Sequence, residues 1–152
     1  MDKPIVLIAG ASGYTGSNVA KDLRQAGYTV HALSRRRDAN YNPDAGVVAW
    51  NTDSGAIDLP DDGAAPYAVM NLAGASTLTR WTKRRKESIR SSRVDLTHNL
   101  VQHLMSRSHQ PTAFICASGP STYGDRGDTV LTEESELGVN GNFLTVSPHR
   151  RA

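Results

Sequence analysis

The chain opens on an unbroken apolar run, Ile5-Val6-Leu7-Ile8-Ala9. A strand covered on both faces reads this way, and such strands belong to parallel sheets. A first strand is predicted over Pro4–Ala9. Glycines follow at positions 10, 13 and 16. Val19, Leu23 and Ala26 then recur at helical spacing, with Gly27 placed to end the helix. Tyr28–Leu33 is the second predicted strand. Strand, helix and strand within about 30 residues make a βαβ unit, whose crossover is right-handed. Val47–Trp50 predicts a short third strand. Asn51–Ala65 is rich in Asp, Gly and Pro and reads as loop with at most one helical turn, where a regular repeat would carry a long helix. Pro66–Ala73 is the fourth strand. Thr82–Arg107 is the longest helical segment; Ile89, Leu96, Leu100 and Leu104 share one face, and Ser91-Ser92 marks a bend. Thr112–Ser118 is the fifth strand, followed by a turn-rich loop from Gly119 to Asp128. The pattern fades after Gly138. Residues 1–141 are therefore expected to form one domain, and 142–152 a poorly ordered tail.

Composition narrows the class without naming a function. The 152 residues suffice for one domain with a core, and 38% hydrophobic with 21% charged residues is ordinary for a soluble globular protein. A net charge of +2 does not by itself imply a polyanion partner. The segment from Arg80 to Arg93 is basic, yet Trp81 is its one aromatic, so a solvated face is the simpler reading and a nucleic-acid platform is not supported. The single cysteine, Cys116, excludes an internal disulfide, fits a reducing cytoplasmic setting, and is expected to be a buried, inert thiol. No apolar run approaches the roughly 20 residues of a membrane span, and no signal peptide is evident. The histidines and Cys116 do not fall at metal-ligand spacings, so no metal site is predicted.

Candidate chemistry begins at Gly10-Ala11-Ser12-Gly13-Tyr14-Thr15-Gly16. Glycines there let the backbone turn tightly, and the first-turn N–H groups of the following helix point at an anion. A side chain at Gly16 would push the helix off the strand. Strand, glycine turn and helix together are a variant of the dinucleotide fingerprint. The end of the second strand then distinguishes the cofactor. An NAD site places a carboxylate there; this chain has Ser34-Arg35-Arg36-Arg37. An arginine pairs with a 2′-phosphate and stacks on adenine, so NADP is favoured over NAD, with Arg35 first and Arg36 second. The ending Ala73-Gly74-Ala75 of the fourth strand lets a ligand lie close over the sheet's carboxyl edge.

Four pieces together resemble the extended and atypical short-chain dehydrogenase/reductases of the NAD-dependent epimerase/dehydratase type, in particular the subfamily described as nucleoside-diphosphate-sugar epimerases. These are Gly10 to Gly16; Leu33-Ser34-Arg35; Asn71-Leu72-Ala73-Gly74 with Arg80-Trp81-Thr82 and Ser92-Arg93-Val94-Asp95; and Ala117-Ser118 with Tyr123 to Gly127 and Leu131-Thr132-Glu133. The resemblance implies an α/β, Rossmann-like doubly wound parallel sheet of five strands in the order 3-2-1-4-5, truncated relative to the family. It implies that Gly10, Ser12, Gly13, Tyr14, Thr15 and Gly16 cover the pyrophosphate. Arg35 would hold the 2′-phosphate, and Leu72, Ala73 and Gly74 would flank the adenine and ribose side. Ser118 matches the position that helps bind a substrate hydroxyl or carbonyl, and it is the one catalytic-type residue to name. The small-molecule substrate implied is a nucleotide sugar.

Two departures bear on turnover. Active members of the superfamily use a tyrosine whose pKa is lowered by a lysine four residues later, and no tyrosine here is followed by lysine at that distance. Family members also run to about twice this length, and the chain stops where a long helix is expected. The reading is thus an NADP-binding, epimerase-like oxidoreductase domain. Its alternative is a non-catalytic dinucleotide-binding module or an inactive truncated fragment. A sheet lacking its sixth strand should also present an exposed edge and an uncovered face prone to self-association.

Overall fold

A computed structural model describes residues 3–35, 46–59 and 67–138. The Arg36 position and the tail 142–152 lie outside the described residues. The elements are β1 (Ile5–Ala9), α1 (Tyr14–Gln25), β2 (Thr29–Ser34), β3 (Val47–Ala49), β4 (Tyr67–Asn71), α2 (Lys83–Ser91), α3 (Asp95–Ser106) and β5 (Ala113–Cys116), then a short 3-10 turn at Pro120–Tyr123. The strands form one sheet in the order β3-β2-β1-β4-β5, and every pair is parallel. That is the expected α/β, doubly wound order.

The unbroken apolar run explains the layers. Val6 and Ile8 face α1, packing with Ala20, Val19 and Leu23. Leu7 and Ala9 face the other way, onto a core with Val69, Leu100 and Leu104. Leu7 and Ile8 are both fully buried, each stabilising by roughly 2–3 kcal/mol. α1 ends as predicted: Gly27 has φ +93°, its N–H donates to the Arg24 carbonyl, and the Tyr28 N–H donates to the Leu23 carbonyl.

The expected bend is a full break, the segment after β3 is loop as expected among its described residues, and Cys116 is less buried than expected. The long helix is two helices, broken at Ser92 to Val94, although Ile89, Leu100 and Leu104 do keep one buried face. The segment after β3 carries no helix among its described residues. Instead Trp50 and Ile57 form an antiparallel bridge and both are buried in the core. Gly55, at φ +78°, lies so close to α3 that a β-carbon there would meet the Asn99 carbonyl, and the Asn99 amide donates to the Asp53 carbonyl at 2.7 Å. This loop does the covering that a helix would do. Cys116 is half-buried rather than buried, because β5 is the terminal strand of the described sheet. Phe114 and Ile115, on opposite faces of β5, are 36% and 48% exposed. Among the described residues β5 pairs with β4 alone.

Candidate functional site

Strand register brings the candidate residues to one edge. Ala9 pairs with Leu33 on one side and Asn71 on the other, and Asn71 pairs with Cys116. Gly10, Ser34-Arg35, Leu72 and Ala117-Ser118 therefore leave the sheet side by side at its carboxyl edge. The chain order reverses between β1 and β4, which is where open parallel sheets bind ligands.

The glycine turn sits at that switch point. Ser12, Gly13, Tyr14 and Thr15 are exposed, and Tyr14 is 89% exposed. The turn closes through Gly13 N–H to the Gly10 carbonyl at 3.0 Å. Gly13 is the N-cap of α1, with no side-chain cap and no acid in the first turn. The other described helices are served. Thr82 caps α2 by accepting from the Arg85 N–H, and α3 carries Asp95 in its first turn. Of the three described α-helices, α1 alone has a first turn with neither device.

Each glycine has its own reason. A β-carbon on Gly16 would fall 2.2 Å from the Gly10 carbonyl oxygen, so the helix start packs on the turn itself rather than on the strand. Gly10, at φ +83°, would meet the Leu72 and Ala73 backbone at 2.9 Å. The turn and the exit of β4 are in backbone contact. Leu72 and Ala73 are half-buried there, and Gly74 is exposed.

Arg35 is exposed just past β2. It lines an open pocket of about 540 Å³ with Trp50, Asn51, Thr52, Asp53, Ile57 and Asp58 among others. Trp50 is buried, and its backbone N–H donates to the Ser34 carbonyl at 2.8 Å. Among the described residues, Arg35 is the one cation of a lining that also carries the carboxylates of Asp53 and Asp58.

Ser118 is exposed, two strand spacings from the glycine turn, about 10 Å. Its hydroxyl shares a 3.0 Å hydrogen bond with the Thr122 hydroxyl, and Thr122 is buried. Beside it, burial raises the Cys116 thiol pKa, with a hydrogen bond from Thr97 working the other way. That makes Cys116 a poor nucleophile. Below the edge, the Asn71 amide donates to the Thr97 hydroxyl at 2.9 Å, and the Asn71 side-chain oxygen accepts from the Ala73 N–H.

The basic residues from Arg80 to Arg93 were expected to form a solvated face, and the structure separates them. Arg80, Lys83, Arg84, Lys86 and Arg90 are exposed, as a solvated face should be. Arg85 and Arg93 are half-buried and donate to the carbonyls of Ser76 and Ala75. The signal was present in Ser92-Arg93, which resembles a family motif, but the carbonyls it meets belong to a distant loop. Among the described residues, no group of three or more His, Cys, Asp or Glu could hold a metal ion, and no helix is long and apolar enough to cross a membrane.

A parallel sheet in this order, with a glycine turn at the switch point, defines a Rossmann-type domain. Residues 6–150 match the model of the NAD dependent epimerase/dehydratase family, so the chain belongs to that family. An epimerase family protein of Mycobacterium bovis is 34% identical over 140 residues, covering 91% of this chain and 44% of the relative. A human epimerase family protein, crystallised with NADPH, superposes with a TM-score of 0.74 at 24% identity, over 93% of this chain and 45% of that one. A nucleoside-diphosphate sugar epimerase from Corynebacterium glutamicum gives 0.66 at 30% identity, over 95% and 28%. The chain spans less than half the length of the curated relatives it matches.

Proposed function

We propose that this chain binds NADP and forms the cofactor half of an epimerase-like oxidoreductase. The observation that carries the reading is the uncapped first turn of α1 above an open glycine turn, with Arg35 just past the neighbouring strand β2. Gly10, Ser12, Gly13, Tyr14, Thr15 and Gly16 would hold the pyrophosphate. Arg35 would hold the 2′-phosphate, with Ser34 beside it and the Trp50 pocket next to them. Leu72, Ala73 and Gly74 would flank the ribose side. The family relation and the NADPH of the human neighbour support a nicotinamide dinucleotide. When bound, the cofactor supplies hydride exchange with a carbonyl or carbinol carbon. Ser118, oriented by Thr122, would hold the oxygen on that carbon. A nucleotide sugar is the substrate class that the Corynebacterium neighbour's description supports.

A second reading has its own observation. No tyrosine in the chain has a lysine four residues later, so the usual acid/base is not supplied by these residues. Binding without turnover is what the chain's own groups then support.

Titration with NADPH and NADH tests the cofactor assignment. Wild type should prefer NADPH. Arg35→Asp should weaken NADPH by about 10- to 100-fold, as loss of a charge-assisted pair does, and leave NADH unchanged or tighter. Equal affinities in wild type, or no effect of the substitution, would remove the NADP assignment.

A further inference from the structure

The segment Leu72–Ser76 forms a shelf beside the glycine turn, and its support comes from the break between α2 and α3. The Leu72 N–H still donates to the Ala9 carbonyl at 2.9 Å. The Ala73 N–H is taken by Asn71. Beyond that the shelf has left the sheet, and side chains hold it. The Ala75 N–H donates to the Ser92 hydroxyl at 2.9 Å, and Arg93 Nη1 donates to the Ala75 carbonyl at 3.1 Å. Both polar groups of one peptide position are thus held from the helix break.

The holding groups are themselves fixed. The Ser92 hydroxyl donates to the Ile89 carbonyl at 3.0 Å and also accepts from Arg93 at 3.4 Å. One donor and two acceptor sites is the full capacity of a hydroxyl. Arg93 Nη1 also reaches the Ile89 carbonyl at 3.2 Å. The Arg93 guanidinium lies over Gly74, where a β-carbon would be 3.1 Å from its Cζ and Nη2. A side chain at position 74 would press on the Arg93 guanidinium. Gly10 packs on the other end of the same shelf, so the helix break, the shelf and the glycine turn are in continuous contact.

We propose that Arg93 and Ser92 are positioning residues for the dinucleotide site: they fix the Leu72–Ser76 shelf against which the Gly10 turn is seated. The proposal rests on the dinucleotide reading above. A shelf released at Ala75 would let the Leu72-Ala73 backbone move away from Gly10, and the donors of the turn would lose their common geometry. The effect should not depend on the 2′-phosphate, which lies at the Arg35 end.

The test is titration of the whole chain with NADPH and with NADH, well below the melting temperature of each variant. Arg93→Met should weaken both cofactors by the same factor, about tenfold, as loss of one or two hydrogen bonds would. Ser92→Ala should act in the same direction, and Arg93→Lys should recover part of the loss. Gly74→Ala should weaken binding in the wild-type background and add little on top of Arg93→Met, because the side chain it displaces is gone. A fall in melting temperature with both affinities unchanged would overturn the proposal, showing a merely structural role. A loss confined to NADPH would overturn it too. If Arg93→Met does not fold, Ser92→Ala decides by the same criteria. Failure of wild type to bind either cofactor is a different result, and it would sink the dinucleotide reading itself.

Discussion

Small residues at the carboxyl edge answer to different neighbours. Gly10 is small because the exit of β4 passes it, Gly16 because the Gly10 carbonyl does, and Gly74 because Arg93 lies over it. The sequence shows that glycine is present at each position and suggests a ligand for Gly10 and Gly74 and helix packing for Gly16. It does not show which atom fills the space, because Leu72 and Arg93 are far away in the chain. His31 was likewise legible only as one residue of a strand. In β2 it is buried, and its pKa is lowered first by that burial and then by the Arg24 cation. The folded chain then binds this proton less readily than the unfolded chain. Its contribution to stability is complete above about pH 6.5 and is lost as the pH falls through the window beneath that value. The melting temperature should therefore fall more steeply below pH 6.5 in wild type than in His31→Gln. Parallel slopes would show that His31 carries no such linkage.

Elements were easier to read than their ends. β1 was plain, because five apolar residues in a row have few other uses. The α2–α3 break was visible only as Ser91-Ser92, since one apolar face continues across it. The loop after β3 was hardest. Its cover depends on Ile57 reaching the core and Gly55 touching α3, contacts over more than 40 positions that no local period records. This loop should be as sensitive as a helix would be. Gly55→Ala is expected to cost about 3 kcal/mol, combining a positive φ with a clash against the Asn99 carbonyl. Gly127→Ala, at φ +57° with nothing nearby, should cost about 1 kcal/mol. Denaturant unfolding of the two variants measures the difference, and equal losses would show that the loop does not pack on α3 as described.

For the molecule as a whole, the sheet order was legible because it rests on contiguous motifs. The parallel runs place Gly10, Arg35 and Leu72 on neighbouring strand ends by register alone. The chemical half is thinner in both views. Ser118 reaches the edge with Thr122 as its partner, and no tyrosine–lysine pair stands beside it. The central claim is that the bare first turn of α1 binds the dinucleotide pyrophosphate. An aspartate at its N-cap would satisfy those N–H groups and repel an anion at once. NADPH titration of Gly13→Asp against wild type is therefore the most direct test. Wild type should bind saturably, and the variant should lose at least about tenfold in affinity with its melting temperature within a few degrees of wild type. Undiminished NADPH binding by a folded Gly13→Asp would contradict the central claim.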